Sequence, residues 1–92
     1  MLEIFRTSGF KSDFKKLNDD DKDKLKTVLQ AIVNHEPLDA KYKNHLLIGN
    51  YIGCSECHIK PDLLLIYKID LELNELQLVR VGSHVQLFRK QH

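Results

Sequence analysis

A few side chains in this 92-residue chain are equipped to move protons around a phosphate: His58 in "CSECHIKPD", His84 in "VGSHVQLF", and the cations Lys60 and Arg80. Histidine serves as base or acid because its pKa lies near the working pH. In RNA cleavage a base takes the ribose 2′-OH proton and the oxygen attacks the adjacent phosphorus. An acid then protonates the departing 5′-oxygen. Lysine or arginine stabilises the extra negative charge of the transition state. A carboxylate, such as Asp62 at the following turn, can orient a histidine or act as the base itself. Phe88, shortly after His84, can stack on a nucleobase. Such chemistry needs neither metal nor cofactor. A third histidine, His45 in "KNHLLIG", stands at a loop end. Taken singly, each histidine reads first as a polar surface residue; their number and shared placement suggest more.

"CSECH" also spells C-x-x-C-H, the attachment signature of a c-type haem. Its position argues against that use. On a strand, residues three apart point to opposite faces and lie roughly 10 Å apart, so Cys54 and Cys57 cannot grip one porphyrin edge or one zinc ion. The only methionine is Met1. A zinc ribbon would need a second cysteine pair. The cysteines therefore read as small strand residues, one inward and one outward. Exchanging both for serine is expected to leave activity largely intact.

These residues must be carried by some scaffold. "LEIFR" (2–6) is a strand candidate, and Phe10, Phe14 and Leu17 then follow at i, i+4 and i+7, one face of a helix capped by Thr7 or Ser8. A second helix spans 18–37, with Leu25, Val28, Leu29, Ile32 and Val33 on one stripe, Asp19 to Asp21 as caps and Pro37 as its stop. The short connection predicts a helical hairpin. Residues 38–50 read as a loop with a short extended piece. Three strands follow: "YIGCSECHIK", "LLLIYKID" and "ELQLVRVGSH". The middle one is apolar on both parities over 63–67, as a central strand should be. The prediction is a single α+β domain over 1–92, β-α-α-β-β-β, with a mostly antiparallel sheet and the hairpin on one face. By strand parity His58 and Lys60 share a face, as do Arg80, Gly82 and His84.

Hydrophobic content of 42% and charged content of 29% fit one globular domain. The net charge of +1 does not announce nucleic-acid binding, which must rest on a local patch. The first ten residues have no signal-peptide pattern, and the run "LLLIY" is too short to cross a bilayer. A cytoplasmic protein with reduced thiols and no membrane association is expected.

The stretch "KNHLLIGNYIGCSECHIKPDLLLIYKI", followed by "LVRVGSHVQLF", resembles the YafQ branch of the RelE/ParE superfamily of type II toxins. There a "DHxLxG" segment precedes "HIKPDWLLIY" and "LxRxGSHSELF". The spacing matches from His45 through His58 to Asp62, and the "DLELNE" hairpin before His84 is free to vary. The resemblance is specific over 42–88 and architectural over 1–38. It implies a ribosome-dependent mRNA endonuclease that enters the A site and halts translation. It implies a small antitoxin partner, with operator DNA bound only through the complex. Catalytic roles fall on His45, His58, Asp62 and His84. His84 and His58 would be acid and base in either order, and Phe88 would stack on or position a base. The chain also departs from the pattern. Cys54 and Ser55 stand where relatives carry an aromatic and an arginine, and Leu63 replaces a tryptophan. Lys43, Lys60 and Arg80 are the cations left to hold phosphate, and residues 89–92 could add to them. The alternative expectation is a non-enzymatic module on the same fold, either a gyrase poison or a degenerate toxin kept as a repressor partner.

Overall fold

The computed structural model describes residues 1–47, 51 and 53–88. The elements run β1 (Glu3–Arg6), α1 (Ser8–Lys15), α2 (Asp19–Val33), a 3-10 turn (Ala40–Tyr42), β2 (His45–Leu46), β3 (Ser55–Lys60), β4 (Leu63–Asp70), β5 (Glu75–Gly82) and α3 (His84–Phe88). The class is α+β, with five strands in one sheet of order β1-β5-β4-β3-β2. The β1–β5 pair is parallel and the other pairs are antiparallel. Two elements go beyond the sequence reading, the 3-10 turn and the C-terminal helix α3, while β2 is the short extended piece expected within 38–50.

Both long helices begin where side-chain oxygens can cap them. Thr7 Oγ1 accepts from Phe10 N at 3.0 Å, and Asn18 Oδ1 accepts from Asp21 N at 2.7 Å. Asn18, rather than the aspartates after it, is therefore the cap of α2; Asp19 to Asp21 occupy its first turn, where the helix dipole favours them. α2 also stops earlier than Pro37 would require. His35 takes a left-handed φ of 58°. Its N–H donates to Ile32 O, and that of Glu36 to Ala31 O. These paired bonds close the helix before the proline can act.

The sheet is buried on both faces at its centre. On one face Phe10, Leu25, Val28, Ile32 and Val33 of the helices meet Cys57, Ile59, Leu63, Leu65, Tyr67, Leu76, Leu78 and Val81. On the other, Leu64 and Ile66 pack with Leu87 of α3 and with Leu47, Tyr51, Cys54, Val79 and Phe88. Leu63 to Tyr67 are all buried, so the apolar run is the central strand, as its pattern required.

The strand expected over 51–60 begins only at Ser55. Just before it, Cys54 N–H donates to Tyr51 O and Leu47 N–H to Cys54 O. Ile52 and residues 48–50 and 89–92 lie outside the described residues, as does the expected role of the tail.

Candidate active site

The second face of the sheet carries the polar residues, and strand register builds it in two rows. In the first row His45 pairs with Glu56, Glu56 with Ile66, and Ile66 with Arg80. In the second, His58 pairs with Leu64 and Leu64 with Gly82. Directly opposed residues share a face, so His45, Glu56 and His58 form one flank and Arg80 and Gly82 the other. Two strand spacings of roughly 4.8 Å set the flanks about 10 Å apart. Leu64 and Ile66 make an apolar floor between them.

On the first flank the centre is Glu56, 6% exposed. Its Oε1 lies 3.4 Å from His45 Nε2 and 3.5 Å from His58 Nε2. His45 Nδ1 is 2.9 Å from Lys43 O, which orients the ring. One carboxylate oxygen thus offers an acceptor to two imidazoles. Sequence reading passed over Glu56, although it stands two residues before His58 on a strand and must share its face.

His84 follows the Arg80–Gly82 flank, at the start of α3 rather than on a strand as its parity suggested. Ser83 and Gln86 form a reciprocal cap: Gln86 N–H donates to Ser83 Oγ at 3.2 Å and Ser83 N–H to Gln86 Oε1 at 2.9 Å. The S-x-x-Q signature in "GSHVQLF" announces this helix start. Gly82 leaves room for the returning amide; a Cβ there would sit 2.7 Å from Gln86 Oε1. His84, in the first turn of α3, is exposed. Its ring packs on Phe88 one turn later with centroids 4.8 Å apart, and Phe88 meets Tyr51 edge-on at 5.7 Å.

Lys60 does not share the face of His58. A register shift between the two residues pairs Lys60 with Leu63, whose side chain belongs to the helix-side core. The bulge redirects the side chain. Lys60 Nζ then meets Asp21 Oδ1 of α2 at 2.7 Å, an ion pair with poor hydrogen-bond direction. The Asp21 partner pushes the Lys60 pKa up.

Arg80 remains on the site face but is tied to Asp13 of α1, with Nε 2.6 Å from Asp13 Oδ2. Asp62 is exposed at the β3–β4 turn and shares a recess with Gly82, Ser83 and Gln86, beside the start of α3. Among the described residues no hydrogen bond or ion pair links Asp62 to a histidine. Lys43 and His58 both line a recess at the free edge of β3, together with Lys24, Lys41 and Lys60. Lys24 and Lys60 are paired with Asp20 and Asp21, so the positive charge this recess offers a polyanion comes from Lys41 and Lys43.

The fold and this histidine-rich face define a small α+β protein of the bacterial toxin class. The chain belongs to the family described as the bacterial toxin of type II toxin–antitoxin systems, YafQ, whose model matches residues 2–89. The mRNA interferase toxin YafQ of Escherichia coli K12 is 41% identical over 69 residues, covering 74% of this chain and 73% of that protein. A metal-bound toxin from Helicobacter pylori is 40% identical with a TM-score of 0.85, covering 96% of this chain and 100% of that one. The YafQ of an E. coli–derived DinJ–YafQ toxin–antitoxin complex is 33% identical with a TM-score of 0.82, covering 95% and 97% of the two chains.

Proposed function

We propose that this protein is an mRNA interferase toxin, a ribosome-dependent endoribonuclease of the RelE-like fold that cuts mRNA by general acid–base catalysis. The observation that carries the reading is the carboxylate of Glu56 between His45 and His58, on the sheet face against which α3, the helix of His84, packs. In-line cleavage needs a proton acceptor beside the 2′-oxygen and a donor beside the 5′-oxygen, on opposite sides of the phosphorus. His58, steadied by Glu56, takes one role, and His84 takes the other. The 2′-oxygen bonds to phosphorus, the P–O5′ bond breaks, and the proton lost at one imidazole is replaced at the other. The products are a 2′,3′-cyclic phosphate and a 5′-hydroxyl. His45 shares Glu56, Asp62 supports the His84 side, and Phe88 stacks on a base beside the scissile phosphate. Lys43 and Arg80 hold phosphate, while Lys60, committed to Asp21, does not.

The partners follow from the same reading: an antitoxin that neutralises the enzyme, operator DNA reached only through that complex, and the ribosome with its mRNA in the cytoplasm. Among the described residues no helix is long and apolar enough to cross a membrane. Ser55 in place of the family arginine, with Lys60 turned away, favours one second reading, a degenerate toxin kept as a repressor partner. Controlled expression followed by mapping of mRNA 5′ ends on ribosomes separates the two. Growth arrest with new ends that vanish in His84→Ala supports the nuclease. No new ends from the wild type would sink it.

A further inference from the structure

Asp13 lies in α1, outside the segment that carries the polar site. Its carboxylate nevertheless makes three bonds to β5. Oδ2 accepts from Arg80 Nε at 2.6 Å and from Val81 N–H at 3.1 Å, and Oδ1 accepts from Arg80 Nη2 at 3.1 Å. The carboxylate is largely withdrawn from solvent, with 12% side-chain exposure against 32% for Arg80. Two neighbours shape the same spot. A Cβ at Gly9 would stand 3.0 Å from Arg80 Cδ, so a side chain there would press the arginine stem out of its path beside α1 by a few tenths of an ångström. Thr7 Oγ1 donates to Val79 O at 2.7 Å, pinning the helix start to the β5 bulge. That bulge delivers Arg80 to the site face, next to the Tyr51 hydroxyl. Tyr51 in turn contacts Phe88, and Phe88 contacts His84.

A guanidinium has five N–H groups in a rigid fork. Asp13 uses two of them and leaves three. We propose that Asp13 is a positioning residue for the nuclease site: it fixes the plane of Arg80 so that the remaining N–H edge meets an RNA phosphate between Tyr51 and His84. The inference rests on the ribonuclease reading above. It assigns α1, otherwise part of the scaffold, a share in substrate binding. A free Arg80 would retain its charge but lose its orientation, so the loss should appear in substrate affinity more than in the chemical step.

The test is a double-mutant cycle in single-turnover cleavage of ribosome-bound mRNA, with thermal melts for each variant. Asp13→Asn keeps the shape of the side chain and removes its charge. It should weaken half-saturation roughly ten-fold while the maximal rate stays within about two-fold. Arg80→Lys, which keeps charge without the fork, should show the same split. On an Arg80→Ala background Asp13→Asn should change cleavage no further, even if it lowers the melting temperature. Multiplying losses in the double variant would overturn the inference, as would wild-type half-saturation in a folded Asp13→Asn protein. A wild type that cuts nothing would remove the ribonuclease reading and this inference with it.

Discussion

Glu56 Oε1 stands 3.5 Å from His58 Nε2, and that same oxygen is 3.4 Å from His45 Nε2. A buried carboxylate must be compensated, and here the side-chain partners are two imidazoles. Glu56→Gln keeps the volume and removes the charge. Cleavage of ribosome-bound mRNA should fall roughly 10²-fold, with a thermal midpoint close to wild type. Wild-type cleavage in that variant would show that the carboxylate has no part in the chemistry.

His84 and Phe88 should separate by kinetics. His84 is exposed, so His84→Ala should leave stability unchanged and lower the maximal rate about 10²- to 10⁴-fold. Phe88→Ala removes a stacking surface worth about 1–3 kcal/mol per base, and should chiefly weaken substrate binding. Equal effects of both variants on rate alone would contradict the roles given to them.

The reciprocal cap of Ser83 and Gln86 fixes the start of the helix that carries His84. Ser83→Ala should cost about 1 kcal/mol of local stability, read as faster amide exchange in α3. Cleavage should fall with it, because the histidine loses its fixed approach. Unchanged exchange over 84–88 would show that the cap does not hold the helix.

The cysteines differ more than their spacing suggests. Cys57 is fully buried in the helix-side core, and burial, then the charge of Glu56, pushes its thiol up to about 12. Cys54 lies on the opposite side, as parity predicted, but it precedes β3 and is half-buried rather than outward. A thiol reagent should therefore react with no more than one group in the native protein. Cys54→Ser should be silent. Cys57→Ser places a hydroxyl in the core at about 1–3 kcal/mol, which revises the expectation that both exchanges are harmless.

The same thiol predicts a pH dependence. Cys57 is raised from 9.0 in the folded state, so the unfolded chain releases its proton first. Stability should fall as pH rises above 9, with a slope approaching about 1.4 kcal/mol per pH unit from this group. Denaturant melts between pH 9 and 10 should show a shallower fall in Cys57→Ala. An identical slope in the two proteins would rule this thiol out as the source.

Much of the scaffold was legible in the sequence. The helical stripes of Phe10, Phe14 and Leu17 and of Leu25 to Val33 pack as their spacing requires, and "LLLIY" lies at the sheet centre. Failures occurred where a local device overrode the period. The bulge after His58 turned Lys60 to the helices, and the left-handed His35 closed α2 ahead of Pro37. At His84 the S-x-x-Q cap was readable but lay hidden behind an apparent strand. Glu56 was readable by parity. Asp13 was not, because its partner Arg80 is far along the chain and only tertiary structure brings them together.

The apolar floor of Leu64 and Ile66 has an evolutionary corollary. The width between the Glu56 flank and the Arg80 flank is a whole number of ladder spacings, so it cannot be adjusted by degrees. No point substitution on the rim widens or narrows it. Divergence among proteins built this way must proceed through reach, charge and ring size at the margins. Ser55 lies on β3 and pairs with Tyr67, so a change of its side chain leaves the backbone pairing that sets this gauge in place.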